Sequence, residues 1–141
     1  MPILLDQQHP ISKRFAIVDD DAGHGAWLYI TQPDFPRPYR DALVLSLRAP
    51  IPLTEVRKNM QPDGPPPVAE GFLDPAAVER SSDIPMSFRW SRDGHAVCVI
   101  VRGVPRAIAA ASRDSGMSRD LIKSGPWGEP WDEATFIRLF A

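Results

Sequence analysis

Short apolar stretches recur along the chain and alternate with turn residues, a pattern that predicts β-strands. The first such unit is RFAIVDDDAGHGAWLYIT at 14–31, in which two apolar runs flank a segment rich in Asp and Gly. In the first run Phe15 and Ile17 belong to one face and Ala16 and Val18 to the other. This stretch therefore predicts a β-hairpin.

The next segment, QPDFPRPYR at 32–40, contains three prolines. Because proline cannot donate a backbone hydrogen bond to a sheet, the segment is predicted to be a connection. Residues 41–50 (DALVLSLRAP) alternate again and predict a strand that ends at Pro50 and Pro52.

The densest pattern is FRWSRDGHAVCVIV at 88–101, where strands predicted at 86–91 and 95–102 meet at an SRDG turn. Both faces of the second strand are apolar, so it is predicted to be central and covered on both sides. A further strand is predicted at 104–111. A helix is the alternative for PRAIAAAS, because alanine favours helix and Pro105 would suit a first turn.

The final segment, PWDEATFIRLFA, predicts a helix. Pro130 suits its first turn, and Asp132 and Glu133 lie where the helix dipole favours carboxylates. An apolar stripe at i, i+3 and i+4, which should pack on the sheet, comprises Phe136, Leu139 and Phe140.

These elements predict an α+β, mainly β protein, built as an antiparallel meander of five or six strands with a C-terminal helix packed on the sheet. A length of 141 residues suits a single domain, 1–141. Within it, 57–85 is predicted to be an irregular, proline-rich insertion suited to partner-facing loops. The 16 prolines and nine glycines favour short strands and irregular loops over a helical bundle.

A net charge of −2 gives no global attraction to nucleic acid or to a membrane surface. The N-terminus has no signal-peptide pattern and no run is long enough to span a membrane, so a cytoplasmic protein is expected. Cys98 is the single cysteine, which excludes an intramolecular disulfide and a multi-cysteine zinc site.

The most acidic spot is DDDAGHG, with Asp19, Asp20, Asp21 and His24. Three carboxylates and an imidazole could hold a divalent cation. However, the calcium-loop pattern fails because Gly23 occupies its fifth position and His24 its sixth. The stretch is predicted to be a solvated turn that offers an acidic contact to a basic partner, with no metal.

A second cluster, WGEPWDE at 127–133, combines two tryptophans with three acids and is typical of interface hot spots and sugar sites. The alternative is that the tryptophans cap the core and fix the final helix. The predicted partner-binding members are Trp127, Glu129, Trp131, Asp132 and Glu133.

Known reaction motifs are missing from the sequence: there is no G-x-S-x-G, H-E-x-x-H or phosphate-binding glycine loop. Cys98 lies within the apolar run AVCVIV, where burial would disfavour a thiolate. The basic residues late in the chain are interleaved with Asp114 and Asp120, which argues against nucleic-acid binding. No catalytic residue and no cofactor is predicted.

Two long stretches and a closing Trp-Asp segment resemble a family of small bacterial β-rich proteins with a W-S-x-D-G hairpin. The stretches are IVDDDAGHGAWLYITQPDFPRPYRDALVL and FRWSRDGHAVCVIVRGVPRAIAAASRDSGMSR. Arg102-Gly103 stands where that family has Asn-Gly. The family has no established activity, so the resemblance implies a small β-rich bacterial domain, immunity-protein-like in profile.

The function predicted is that of an immunity protein that binds and neutralises a cognate toxin or effector domain by occlusion. One alternative is a small enzyme with an acid–histidine site at Asp19, Asp21 and His24. Another is a ligand-binding domain with a pocket lined by Trp127 and Trp131. The sequence leaves the oligomeric state open.

Overall fold

The computed structural model describes residues 3–60 and 65–141. The described residues form nine strands in two sheets, with strand orders β1-β2-β3-β4 and β5-β6-β7-β8-β9. The first sheet contains β1 (Ile3–Gln8), β2 (Phe15–Asp20), β3 (Gly25–Gln32) and β4 (Phe35–Ser46). The second contains β5 (Met86–Trp90), β6 (Ala96–Val101), β7 (Val104–Ala110), β8 (Met117–Ser118) and β9 (Glu129–Pro130). The helices are α1 (Leu53–Val56) and α2 (Glu133–Phe140).

The prediction of a mainly β protein is confirmed, but the single meander of five or six strands is wrong. The two sheets pack face to face, and one apolar cluster between them joins Val18, Leu28 and Val44 to Val97 and Val99. The first two β-hairpins predicted from the sequence, β2–β3 and β5–β6, are present, one in each sheet. The sandwich arises because alternation leaves each sheet with an apolar face that the other sheet covers.

The prediction that 32–40 is only a connection is wrong. Pro33 and Asp34 form a tight turn, with Asp34 at a φ of 57°, and β4 starts directly after it. Because β4 is the last strand of its sheet, the prolines at 36 and 38 are tolerated there. The structure also adds β1, which pairs with β2 and was not predicted.

The strand predicted at 104–111 is confirmed as β7, and the helical alternative is wrong. Arg102 and Gly103 join β6 to β7 with φ values of 50° and 80°, as in the type I′ turns that Asn-Gly usually forms. The prediction that β6 is covered on both sides is also confirmed. Its Val97 and Val99 face the first sheet, while Ala96 and Cys98 belong to a cluster beneath α2.

Loops and α2 cover the two outer faces of the sandwich. On the first sheet, Trp27 and Leu43 pack against Val68, Leu73 and Trp127, so part of the proline-rich region lies on the core. On the second sheet, α2 packs through Phe140 as its apolar stripe predicts. The helix begins at Glu133 rather than near Pro130, because Pro130 belongs to β9 and pairs with Ser118 of β8.

Three charged side chains tie the proline-rich region to the second sheet. Arg106 on β7 bonds Glu79 at 2.6 Å and Asp120 at 2.9 Å, and all three side chains are largely buried. Arg102 adds a more exposed pair to Glu79 at 3.0 Å. This network fixes the end of the 65–85 segment against β7. Among the described residues, no helix is long and apolar enough to cross a membrane.

Candidate functional site

The acidic residues predicted to form a turn are divided between a strand and a turn: Asp19 and Asp20 end β2 and pair with β3, while Asp21 and His24 lie in the connection between the two strands. We call these four residues the acidic turn. The Asp20 carboxylate accepts a hydrogen bond from the Gly23 amide at 3.1 Å, which closes the turn. His24 Nδ1 lies 3.3 Å from the guanidinium of Arg48. The turn is therefore held together locally at the end of two interior strands.

Asp19 and Asp21 are unusual because each has one buried carboxylate oxygen without a hydrogen-bond partner among the described residues. Burial raises the pKa of both carboxyl groups above the ordinary aspartate value. In the described part of the chain, acids, histidines and Cys98 form no cluster suited to a metal ion. Half-buried, unpaired carboxylates are groups that a cationic side chain of a partner would stabilise.

Tyr29 lies on the same outer face of the first sheet, in register with Asp41 on β4. Burial raises the pKa of its hydroxyl to about 12, and three neighbouring carboxylates add to the shift. Those carboxylates belong to Asp41, Asp19 and Asp21. This part of the sheet therefore carries concentrated negative charge.

The acidic turn borders a narrow cleft. Asp21 and His24 border a narrow cleft with Trp27 and Pro66, and its volume is about 20 Å³. A space of this size holds about one water molecule.

The second predicted cluster is divided by the fold. Trp127 is buried, with 4% of its surface exposed, and its indole N–H donates to the Pro66 carbonyl at 3.1 Å. Its ring packs on Phe72 at 5.1 Å between centroids. Trp127 is thus a core residue that holds the proline-rich segment, and it packs in a different apolar cluster from Trp131.

The other members lie around the start of α2. Trp131 is half-buried, with Arg119 stacked 4.1 Å from its ring centroid and its N–H donating to Glu133 at 2.7 Å. Hydrogen bonds from Thr135 hold the pKa of Asp132 below its ordinary value. Glu129 pairs with Arg113 at 2.7 Å. These acids form hydrogen bonds or ion pairs through their side chains, whereas within the described residues one carboxylate oxygen each of Asp19 and Asp21 has no hydrogen-bond partner.

Sequence reasoning missed a third surface, at the end of β3 opposite the acidic turn. There the tip of the β3–β4 hairpin contacts the loop before β2, since the Asp34 amide donates to the Lys13 carbonyl at 2.8 Å. Large apolar side chains are exposed here: Ile11 by 75%, Phe35 by 58% and Tyr39 by 37%. We call this surface the aromatic–basic tip; it comprises Ile11, Lys13, Phe35, Arg37 and Tyr39.

Two further arginines hold Tyr39 in place. The Arg40 guanidinium lies 4.0 Å from the ring centroid and donates to the Arg113 carbonyl at 3.0 Å. Arg14 lies 5.6 Å from the same centroid. Alternation alone does not place Phe35, Arg37 and Tyr39 on one face, because the register of β3 and β4 shifts twice between Ile30 and Gln32.

Comparison with models of protein families, with curated proteins and with solved structures gave no match.

Proposed function

We propose that this chain is a bacterial immunity protein that binds a cognate toxin or effector domain in the cytoplasm, occludes its active site and catalyses no reaction. The observation that carries the proposal is the aromatic–basic tip. Phe35 and Tyr39 are exposed by 58% and 37% on a hairpin at one end of a close-packed sandwich.

Aromatic and arginine side chains are the residues that dominate binding energy in protein interfaces. At the tip they are ordered before binding, because Tyr39 is flanked by two guanidinium groups and the hairpin is bonded to the Lys13 loop. Ordering before binding lowers the entropy lost on association. The partner that fits is a protein surface with an apolar pocket for Phe35 surrounded by carboxylates.

The acidic turn is the second candidate contact. Asp19 and Asp21 carry carboxylates that are partly desolvated and unpaired among the described residues. A cationic side chain of a basic toxin placed beside these carboxylates would favour their charged form. The members of the second cluster other than Trp127 lie beside α2, with their acids engaged in local pairs, and are the weaker candidates.

The test is co-expression with the product of the neighbouring gene, followed by a binding measurement on the purified pair. We expect this chain to relieve toxicity and to bind directly. The double variant Phe35→Ala/Tyr39→Ala should weaken binding by about 100-fold or more, as for a pair of hot-spot residues. Asp19→Asn/Asp21→Asn tests the acidic turn in the same assay.

The matched control is Leu53→Ala on α1, which removes an equally exposed apolar side chain, 62% exposed, from another part of the surface. It should bind as the parent protein does. A harmless neighbour, or a chain that neither binds nor rescues, would refute the immunity function. Unchanged binding by the Phe35/Tyr39 variant, with loss in the Asp19/Asp21 variant, would move the interface to the acidic turn.

A further inference from the structure

A cleft of about 500 Å³ lies between the β5–β6 turn and α2 and is bordered by the start of β2. Its volume is within the range of small-molecule sites. Its polar lining is unusually rich in hydrogen-bond donors and comprises Arg14, Ser91, Asp93, His95, Ser112 and Arg138. Of these residues only Arg14, which lies 5.6 Å from the Tyr39 ring centroid, is also used in the proposed function.

Arg14 is held in a fixed position by two hydrogen bonds. Its Nε donates to His95 Nδ1 at 2.9 Å, and one terminal nitrogen donates to the Thr31 carbonyl at 2.8 Å. A guanidinium carries five N–H donors, so others remain for a ligand. Because its orientation is set before binding, little side-chain entropy would be lost when it holds an anion.

The Arg14 contact also determines the state of His95. Since Nδ1 accepts a hydrogen bond, the proton of the neutral imidazole lies on Nε2. His95 is solvent-exposed and lines the cleft, so its Nε2–H is a second donor near Arg14. Donors on adjacent groups that converge on one cleft suit an oxyanion.

Arg138 on α2 supplies the cation on the opposite wall. Its only hydrogen bond within the described residues is a long one, 3.4 Å, to the Thr135 hydroxyl. The one acid of the lining, Asp93, is already engaged, because a carboxylate oxygen accepts from the Ser91 hydroxyl at 2.8 Å and from the His95 amide at 3.0 Å. The two arginines therefore outnumber the single carboxylate.

We propose that this cleft binds a ligand through a carboxylate or phosphate group, with Arg14 as the principal contact and His95 and Arg138 as supporting donors. The proposal does not depend on a toxin partner. A planar guanidinium fork matches both groups in the same way, so carboxylate and phosphate share this chemistry.

The experiment is an NMR titration of the folded chain with inorganic phosphate and, separately, with acetate, while the side-chain signals of Arg14 and His95 are observed. Sodium chloride at equal ionic strength is the reference. We expect saturable shifts with at least one of the two anions, and the tighter of the two identifies the ligand class.

In Arg14→Gln the affinity should fall at least about tenfold, as expected when a charged, hydrogen-bonded contact is lost. Arg138→Gln, on the exposed side of α2, should weaken anion binding without disturbing the fold. This variant replaces Arg14→Gln as the test if Arg14→Gln unfolds. Arg37→Gln removes a cation from the aromatic–basic tip and should leave the affinity for the anion unchanged.

Shifts that do not saturate, or that persist equally in Arg14→Gln and Arg138→Gln, would overturn the proposal. Anion binding by a chain that rescues no toxin would refute the immunity function alone.

Discussion

Gly94, in the β5–β6 turn, is packed directly against the imidazole ring of His9. A Cβ atom at Gly94 would overlap that ring and lie 2.6 Å from the Ser12 hydroxyl oxygen. The backbone of Gly94 is also left-handed, with a φ of 75°. The turn of one sheet and the β1–β2 connection of the other therefore meet where only glycine fits.

Gly94→Ala should destabilise the protein by about 3 kcal/mol, since left-handed strain and an overpacked contact add. Urea unfolding of the two proteins measures the difference. The control is Gly103→Ala, whose φ of 80° is similar but whose Cβ would meet no atom within 4 Å. It should cost only about 1 kcal/mol. Equal costs for the two variants would show that the Gly94–His9 contact is not tight.

Trp90 should act in stability rather than in binding. It is half-buried, its ring centroid lies 5.1 Å from that of His9 with the two planes tilted by 60°, and its indole N–H donates to the Gln7 side chain at 2.8 Å, which joins β5 to β1. Trp90→Ala should lower the free energy of unfolding by about 2–3 kcal/mol because packing is lost. Calorimetry measures this loss. A variant with unchanged melting but no toxin binding would contradict the assignment.

Arg106 should be essential to the fold. Its side chain is 12% exposed and that of Asp120 only 3%, so Arg106→Gln leaves a buried carboxylate without its cation. Loss of one partner from such a pair costs about 3–5 kcal/mol. Chemical denaturation would detect this loss.

Arg102→Gln is the matched control for Arg106→Gln, because it removes a guanidinium that is 54% exposed from the same Glu79. It should cost less than about 1 kcal/mol. If the two variants were equally stable, the buried network would contribute nothing.

The acidic turn should make stability fall as pH rises. The folded-state pKa of Asp19 is raised by burial, so its protonated form favours the fold below about pH 4, and this stability is lost as pH rises through the raised value. The free energy of unfolding of Asp19→Asn should therefore rise relative to that of the parent protein from about pH 4 to pH 7. The rise should be at most about 1 kcal/mol, because the group is half-exposed.

Asp93→Asn provides a control of opposite sign. Hydrogen bonds from the His95 amide and the Ser91 hydroxyl lower the pKa of Asp93, so its stabilising effect is present at neutral pH and is lost as pH falls. Denaturant unfolding at several pH values gives both curves. If Asp19→Asn followed the parent protein at every pH, its carboxylate would not be desolvated.

Cys98 should be unreactive in the folded protein. Its side chain is buried, and burial raises the pKa of the thiol to about 12. Ellman's reagent at pH 8 should modify one thiol per chain in urea and none in buffer, except at the rate of unfolding. Rapid modification of the native protein would indicate that the cover of α2 over β6 opens readily.

The sequence predicts local structure better than it predicts assembly. Alternation in 14–31 and 86–102 identifies both hairpins, because each pairs residues close in the chain. Alternation does not predict that Val18 and Val97 meet across two sheets. Every apolar sheet face must be covered, but the alternating pattern does not identify which element covers it. The prolines near Phe35 concealed a strand, because their cost depends on whether the strand lies at an edge.

The candidate sites are likewise predictable where they depend on local sequence and not where they depend on tertiary packing. The acidic turn is readable in the sequence, but the unpartnered oxygens of Asp19 and Asp21 depend on packing around them. Trp127 and Trp131 look alike in WGEPWDE, yet one is buried and the other lies beside Arg119. The cleft at Arg14 joins residues far apart in the chain, and no spacing rule brings them together.

The prolines of β4 have a consequence for the behaviour of the protein at high concentration. An exposed aromatic hairpin at a sheet edge would ordinarily invite other chains to add strands and polymerise. Pro36 and Pro38 remove two amide hydrogens from this edge, so a neighbouring copy cannot continue the sheet regularly there. Phe35 and Tyr39 are thus exposed on a strand whose prolines disfavour edge-to-edge pairing with a second copy.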